Sequence, residues 1–498
     1  MTQNPQTQTQ TQTQTQAPAR RSVLLGAAAL AAAPALPLAT AAAPAAAAKG
    51  PAAAGPSVTR IADTQLDARA LYFVSYDGLV NNNSFQKSGV LTYRGHQYAA
   101  WYSADRSATI ARRALPDGPW TRVALPHKLR YDDSHNVISM GVSPQDGRLH
   151  ILMDSHSDAF FYVKSEAGLM DEPGSRRWEP ARFGGVQTTL DGVGLTDQFT
   201  YPQFLAAPTG ALQLLHRRGV SGNGQAALAE YDNGTWSDLG AFSSAAGRYS
   251  SGHGSSDRRN MYVHGFDYDA SGTLHLFFTW REQNSGVMCA PGGISNHDMC
   301  YASSPDRGRT WHDAAGARIA ATGTGDLIAV TDSGTVAEAI NPDHSLMNQE
   351  SQAVDSRGRP HALWSYVPGR FGQCTTDYSA DRTANGRTFH MYRDVSGRWH
   401  KTEIPEPPNS TQRTRLAFDR YDNAYAVMPK GKIVAASADS GWSDWRVLYD
   451  GAGLEAFGEV LIDELRLRDR SVLSVLYQQR SSGTTPSPIR VADFALPA

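Results

Sequence analysis

Short apolar runs separated by turn residues dominate the chain from about residue 59 onward, and no long stretch shows helical periodicity. Five clear examples are residues 98–102, 149–153, 212–215, 274–278 and 425–428. Each run follows a turn built on Gly, Asp or Asn, which is the arrangement that antiparallel hairpins require. The pattern therefore predicts a chain made mainly of short β-strands.

Two sequence markers recur along the same region. The turns repeat mostly every 50–65 residues, at Gly95, Gly147, Gly210, Gly272, Gly358, Asp422-Asn423 and Asp469-Arg470. The longer interval between Gly272 and Gly358 indicates an insertion. A tryptophan follows in most repeats, at Trp120, Trp178, Trp236, Trp311, Trp399 and Trp442. A large aromatic side chain at one place in each repeat suits a wedge between neighbouring sheets.

These repeats predict an all-β fold, a seven-bladed β-propeller of four-stranded antiparallel blades over residues 59–498. Two unrelated β domains are the alternative, which the coincidence of two independent markers disfavours. The segment Ser304-Pro-Asp306-Arg-Gly308-Arg-Thr310-Trp311 also matches the Asp-box turn, in which Ser and Asp side chains satisfy turn amides. This motif indicates the fold and not the reaction.

The first 58 residues differ in composition from the rest. Residues 1–43 contain a polar Thr-Gln repeat, the pair Arg20-Arg21, an Ala/Leu run and an Ala-x-Ala exit, which predict a twin-arginine signal peptide. Residues 44–58 read as an Ala/Pro-rich linker. The alternative for the apolar run is an N-terminal membrane anchor. We expect a bacterial protein that is secreted by twin-arginine export and is free of the membrane after signal cleavage.

The charge and the cysteine content limit the kinds of ligand and cross-link that the chain can have. The 46 Lys and Arg residues against 48 Asp and Glu residues give a net charge of −2, so no basic field is available for nucleic acid. Three cysteines cannot form a disulfide framework, and CxxC and HExxH spacings are absent. A structural zinc or calcium ion and a Cys289–Cys300 disulfide both stay open. The candidate metal ligands are His264, Cys289, His297, Cys300, Cys374 and His390.

Polar side chains that can take part in catalysis lie at the ends of predicted strands. His135 and Asn136 precede one strand, and His156 lies one hairpin later, so two imidazoles are expected to meet across adjacent strands. Pro202 is expected to hold Tyr201 in an extended conformation. Taken singly, a histidine or tyrosine in such a place is as well explained by a structural role.

A pair of arginines completes this set. Arg217 and Arg218 lead into a Gly-rich loop that contains Asn223, which is hard to explain as core. An arginine can neutralise a carboxylate and stabilise an enolate-like transition state, while a phenol or an imidazole moves the α-proton. A retaining glycosidase would instead need two carboxylates. The residues therefore favour β-elimination next to a carboxylate.

These motifs resemble the BNR-4 propeller proteins, among them the ulvan lyases and the L-rhamnose-α-1,4-D-glucuronate lyases. The resemblance runs through most of residues 60–450. The segments that carry it are Asp133-Ser-His135-Asn136, Tyr201-Pro-x-Phe204, Arg217-x-Gly219-x-Ser221-Gly-Asn-Gly224, Asn296-His297-Asp298-x-Cys300-Tyr301 and Asn348-Gln349-Glu350-x-Gln352-Ala-Val-Asp355.

The resemblance implies roles for individual residues. His135 and Tyr201 would be the acid/base pair, Arg217 would bind the uronate carboxylate, and His156 would be the second family histidine. Relatives often show Asp-His-His where this chain has Asp154-Ser155-His156. The residues expected to line the sugar site are Asn136, Tyr262, Arg218 and Asn223.

The expected activity is that of a monomeric polysaccharide lyase that cleaves L-rhamnosyl-α-1,4-D-glucuronate linkages. Elimination would release rhamnose or rhamnose-ended products and a 4,5-unsaturated glucuronate, and no cofactor is required for it. The alternatives are an α-L-rhamnosidase-type hydrolase of the same linkage and a non-catalytic glycan-binding propeller. A sialidase, which the Asp box suggests, would need an arginine triad and a Tyr–Glu pair that the sequence does not supply.

Overall fold

The computed structural model describes residues 55–83, 85, 87–290 and 293–497. The predicted signal peptide (1–43) and residues 44–54 of the predicted linker lie outside these described residues. Within them the alternating apolar runs form 31 β-strands and two short α-helices. No helix among the described residues has the length and apolar character that crossing a membrane requires.

The strands of the first half form three sheets, and the first strand belongs to the last sheet of the chain. The chain begins with β1 (Thr59–Ala70), which joins the last sheet. The next sheet contains β2 (Val90–Tyr93), β3 (His96–Tyr102), β4 (Ser107–Ala114) and β5 (Thr121–Lys128). Then follow β6 (Ser139–Ser143), β7 (Arg148–Met153), β8 (His156–Asp158) and β9 (Phe161–Lys164), of which β6, β7 and β9 form one sheet. The third sheet pairs β8 with β10 (Phe199–Ala206), β11 (Leu212–Val220), β12 (Asn223–Asp232) and β13 (Thr235–Ala241).

The second half contains four further sheets. A seven-stranded sheet consists of β14 (Ala246–Ser250), β15 (Ser255–Tyr268), β16 (Leu274–Glu282), β17 (Asn296–Ser304), β18 (Thr310–His312), β19 (Arg318–Ala321) and β20 (Val336–Glu338). Two four-stranded sheets are β21 (Ser351–Val354), β22 (Pro360–Tyr366), β23 (Arg387–Arg393) and β24 (Trp399–Glu403), then β25 (Arg415–Phe418), β26 (Ala424–Val427), β27 (Ile433–Ala436) and β28 (Arg446–Tyr449). The last sheet is β29 (Leu461–Ile462), β30 (Val472–Gln478), β31 (Ser487–Ala495) and β1.

The helical elements are short and lie in connections between strands. The α-helices are α1 (Tyr378–Asn385) and α2 (Glu464–Arg470). Turns of 3₁₀-helix span Pro180–Arg182, Ser285–Val287, Ser333–Thr335, Pro342–His344, Pro429–Gly431 and Ala452–Leu454.

The sheets are arranged as a β-propeller, as the repeats predict. Strands of successive sheets pack against each other, as β6 does with β10, β15 with β21, β21 with β25 and β29 with β2. Pairing of β1 with β31 joins the two ends of the propeller in one sheet. Four of the seven sheets have the four strands that we expected, and the others have three, five and seven. The seven-stranded sheet accounts for the long interval between Gly272 and Gly358.

The two sequence markers have the structural roles that we predicted. Glycines at positions 95, 147, 210, 272 and 358 all have positive φ. The six tryptophans pack into six different hydrophobic clusters of the core. The Asp306 carboxylate accepts from the amides of Arg309 and Thr310, which confirms the Asp-box turn. The predicted turn at Asp469-Arg470 is wrong, because these residues end α2 and the chain reverses at Ser471, which has φ 52°.

Candidate active site

One carboxylate orients two stacked imidazoles in the candidate site. The two Asp133 oxygens lie 2.7 Å from Nδ1 of His135 and 2.6 Å from Nδ1 of His156. The two rings are stacked with centroids 4.1 Å apart. His135 lies in the loop before β6. His156 is the first residue of β8, which follows β7 in the chain but pairs with β10 of the next sheet. If Asp133 accepts an N–H from each ring, both Nε2 atoms are left as proton acceptors.

Tyr201 lies beside the imidazoles at an irregular place in β10. Its ring centroid is 5.9 Å from that of His135. The expected extended conformation of Tyr201 is wrong, because its φ is +59°. The register between β10 and β11 shifts between Thr200 and Gln203, so the strand bulges there. A non-glycine residue in the left-handed region is strained by about 1–3 kcal/mol, and such strain concentrates at functional sites.

Arg217 on β11 is buried and faces this group without a carboxylate partner. Its side chain is 3% exposed, and its Cζ lies 4.9 Å from the ring centroid of Tyr201. It donates to the hydroxyls of Tyr262, Ser157 and Thr200 at 3.3, 2.7 and 2.9 Å. Its Nε has no partner, and within the described residues no ion pair to Arg217 is found. A buried cation held only by neutral groups is expensive, so the geometry suits an incoming anion.

Tyr262 on β15 is the second phenol next to the guanidinium. Its hydroxyl lies 3.1 Å from Oγ of Ser221, and its ring centroid lies 5.8 Å from that of Tyr201. Burial alone would raise the pKa of Tyr262, but the positive charges of Arg217 and Arg281 outweigh it and lower this pKa. Burial raises the pKa of Tyr201 above its ordinary value. Tyr201 is therefore a protonated phenol at neutral pH.

The imidazole of His135 is held neutral by its surroundings. Burial lowers the pKa of His135 to about 4, and the neighbouring His156 acts in the same direction. The charge of Asp133 opposes this effect without cancelling it. Burial also disfavours ionisation of Asp133, but the hydrogen bonds of the two histidines lower its pKa below the usual range. At neutral pH the site thus presents an ionised carboxylate, a neutral imidazole and a neutral phenol beside a buried cation.

Two aromatic residues that the sequence analysis did not select complete the site. Phe85 is buried, with its ring stacked 5.4 Å from that of His135 and in edge contact with Tyr201. Tyr76 is 72% exposed and contacts His135 edge-on, with centroids 4.5 Å apart. No repeat marker falls on these two residues, which lie in the connection between β1 and β2. Asp133 could have been selected from the sequence, because it stands two residues before His135.

Three of the residues expected to bind sugar have surroundings that differ from one another. Arg218 pairs with Asp238, and because successive strand residues point to opposite faces, only Arg217 can face the site. Asn223 is exposed at the start of β12. Asn136 is buried, and its backbone carbonyl accepts from the hydroxyl of Tyr102.

The cysteines pair differently from the expectation. The structure joins Cys289 to Cys374, so the Cys289–Cys300 bridge that the sequence left open does not form, and Cys300 is a buried free thiol in β17. Pairing across 85 residues cannot be read from sequence spacing. The bridged pair lies with His253 and Asp343, and one donor atom from each of the four lies within 4.8 Å of the others.

The other candidate metal ligands are distributed over the fold. Nδ1 of His264 accepts from the amide of Glu350. His297 contacts Glu282 and Asp298, and His390 contacts His361. In the part of the chain that the structure describes, these histidines belong to no group of three or more metal-binding side chains.

Comparison with known sequences gives one family and several curated relatives. The model of BNR repeat-containing family members matches residues 96–406. The long isoform of ulvan lyase from Alteromonas sp. strain LOR is 25% identical over 469 residues, which cover 83% of this chain and 43% of that protein. The corresponding isoform from Pseudoalteromonas sp. strain PLSV is 24% identical over 475 residues, with the same two coverages. The chain thus spans less than half the length of these two relatives.

Solved structures share the fold at low sequence identity. The crystal structure of polysaccharide lyase Uly1 superposes with a TM-score of 0.65 and 17% identity, covering 88% of this chain and 99% of that one. The structure of a PL25 ulvan lyase bound to -[GlcA(1-4)Rha3S]- gives a TM-score of 0.55 and 12% identity, covering 86% and 94%. At such identities the likeness extends to the propeller fold and not to the reaction.

Proposed function

The chain belongs to the BNR repeat-containing family, and from that premise we propose that it is a polysaccharide lyase. Its substrate would be an anionic polysaccharide that contains rhamnose and glucuronate, as the ulvan lyases among its relatives suggest. One observation carries the proposal. Arg217 is a buried guanidinium without a carboxylate partner in the described part of the chain, and it adjoins a phenol and a neutral imidazole.

We propose that Arg217 binds the carboxylate of the glucuronate at the cleavage site. Two parallel hydrogen bonds from a guanidinium fix the plane of a carboxylate and withdraw charge from it. The carbon next to that carboxylate then loses its proton more readily, because the enolate-like charge develops against a fixed cation. This step needs no cofactor, and the substrate carboxylate supplies the anionic partner that Arg217 does not have among the described residues.

The pKa directions assign the two proton transfers. His135, neutral because its pKa is about 4, accepts the C5 proton through Nε2. Tyr201, whose pKa burial raises, donates its proton to the O4 oxygen as the C4–O4 bond breaks. The C5–H electron pair becomes the C4–C5 double bond. The products are a 4,5-unsaturated glucuronate and a chain that ends in a free hydroxyl on rhamnose.

The carboxylate count disfavours hydrolysis of the same linkage. A glycosidase normally uses two carboxyl groups, one on each side of the bond. In the site described above, Asp133 supplies the carboxylate, and each of its oxygens is bonded to a histidine. A lectin-like propeller would have no need of a strained tyrosine beside a buried cation.

Product analysis tests the proposal. Incubation with ulvan and, in parallel, with gum arabic is expected to give products that absorb in the ultraviolet, because elimination leaves a double bond conjugated to the carboxylate. Release of rhamnose without that absorbance would establish the hydrolase instead. Binding without any cleavage would establish a non-catalytic glycan receptor.

We also propose a structural metal site as an alternative state of the cysteine pair. Two thiolates, an imidazole and a carboxylate from Cys289, Cys374, His253 and Asp343 suit tetrahedral zinc, whereas calcium prefers oxygen ligands. The disulfide and the zinc site exclude each other, because zinc needs both thiolates. The ion would hold loops together and take no part in elimination.

The remaining expectations belong to the same proposal. We propose that the seven sheets correspond to seven blades, the last completed by β1. We further propose that the protein is exported through the twin-arginine pathway, acts as a monomer outside the cell and binds neither nucleic acid nor membrane. The Arg20-Arg21 pair and the net charge of −2 support these points.

A further inference from the structure

Tyr76 is unusual because a large aromatic ring stands in solvent directly beside the candidate catalytic histidines. It is 72% exposed, yet its ring contacts His135 edge-on at 4.5 Å and His156 edge-on at 6.1 Å between centroids. Exposed aromatic rings next to a site of chemistry are typical of ligand-binding surfaces, because their burial by a ligand removes apolar area from water.

The backbone that carries Tyr76 is held in a strained conformation. Tyr76 has φ 48° and Asp77 has φ 61°, so two successive non-glycine residues lie in the left-handed region. The turn is closed on both sides, since Ser75 and Gly78 exchange backbone hydrogen bonds of 3.2 and 2.9 Å. Asn or Gly would adopt this conformation with less strain than Tyr. The sequence therefore retains an aromatic ring where the backbone favours another residue.

Contacts from two other parts of the chain clamp this turn. Oγ of Ser75 accepts from the amide of Ser134 at 2.7 Å, and the Ser134 hydroxyl donates to the Ser75 carbonyl at 2.7 Å. Ser134 is the residue before His135, so the turn is fixed relative to the imidazole. On the other side, the side-chain amide of Gln412 donates to the carbonyl of Asp77. A ring in a prefixed position loses little entropy when a ligand packs on it.

We propose that Tyr76 is an aromatic platform for the sugar ring adjacent to the uronate that undergoes elimination. A pyranose presents an apolar C–H face to such a ring, and a 6-deoxy sugar such as rhamnose adds a methyl group to it. The inference rests on the proposed function for the identity of the neighbouring uronate. Tyr76 is a substrate-positioning residue, because proton transfer is assigned to His135 and Tyr201.

The test uses Tyr76→Asn, Tyr76→Phe and, as a matched control, Tyr131→Ala. Tyr131 is also strongly exposed, at 62%, but packs beside Arg130 and has no ring contact with the imidazoles. We expect Tyr76→Asn to raise KM about tenfold, the equivalent of about 1.4 kcal/mol, with kcat within about twofold. Its Tm is expected to stay equal or rise, because Asn relieves the strain. Tyr76→Phe and Tyr131→Ala are expected to keep the original KM.

A binding measurement separates this inference from the proposed activity. Native electrophoresis of the full chain in gels that contain ulvan reports affinity without turnover. Retardation that Tyr76→Asn weakens and Tyr76→Phe keeps supports the platform even if no unsaturated product forms, a result that would overturn only the lyase proposal. The platform is refuted if Tyr76→Asn leaves binding unchanged, if Tyr76→Phe loses as much as Tyr76→Asn, or if the wild-type chain is not retarded at all.

Discussion

Replacing Arg217 by methionine tests the main feature of the site. Methionine keeps most of the side-chain length and removes the charge, so a uronate carboxylate would lose the guanidinium that we propose as its partner. Removal of one member of a buried charge pair costs about 3–5 kcal/mol. If that interaction is made in the transition state, kcat/KM is expected to fall by a factor of about 10² to 10⁴.

The effect on folding is expected to be of a different kind. Arg217 is buried without a carboxylate among the described residues, so methionine removes a charge that none of their side chains neutralises. Arg259 provides a matched control, because it is fully buried and donates to Glu282 at 2.7 Å. Arg259→Met would leave that carboxylate short of a partner. We therefore expect Arg259→Met to lower the free energy of unfolding by about 3–5 kcal/mol, and Arg217→Met to lower it by much less.

The assay combines the initial rate of ultraviolet absorbance with urea unfolding of both variants. Loss of turnover with stability nearly retained in Arg217→Met, beside a destabilised Arg259→Met, is the expected pair of results. The reasoning is refuted if Arg217→Met unfolds as easily as Arg259→Met while it retains turnover. In that case Arg217 would be a structural residue that holds Tyr201 and Tyr262 in place.

Three further outcomes follow from the described contacts. Tyr201→Phe is expected to abolish turnover and preserve retardation in ulvan gels, and unchanged turnover would exclude Tyr201 as the proton donor. The base must be neutral, so kcat is expected to fall with decreasing pH only near the His135 pKa of about 4. A fall in kcat near the ordinary histidine pKa of about 6.5 would contradict the role of His135. Thiol titration of the unreduced, denatured chain is expected to find one thiol, that of Cys300. Reduction should free Cys289 and Cys374 and allow one zinc ion to bind to the folded chain. Zinc binding that survives loss of both thiols would refute this site.

The fold was predictable because its signals are local and repeat. A glycine such as Gly147 adopts positive φ without strain, and a wedge residue such as Trp311 recurs at a fixed phase of the repeat. The number of strands per sheet is not local. β8 pairs with β10 and not with β7, and this choice depends on how two sheets meet.

The site was predictable in its residue types and not in its geometry. Motif spacing selected His135, Tyr201 and Arg217, and the structure brings them together. The backbone at Tyr201 could not be read, because the residue before a proline favours extended conformations and tertiary packing overrides that preference here. Arg218 looked equivalent to Arg217, but the alternation of side chains along β11 turns one toward the site and the other toward Asp238.

In the proposed elimination, the arrangement around Asp133 gives two histidines a part in one proton transfer. Each imidazole meets a different oxygen of the same carboxylate, and the rings stack 4.1 Å apart, so a proton on one raises the cost of a proton on the other. The charge of His156 is part of what lowers the pKa of His135. A base that stays neutral until a proton arrives from C5 needs this opposition. In the proposed reaction the shared carboxylate would stabilise the imidazolium that forms, and the partly exposed imidazoles would return the proton to solvent before the next uronate binds.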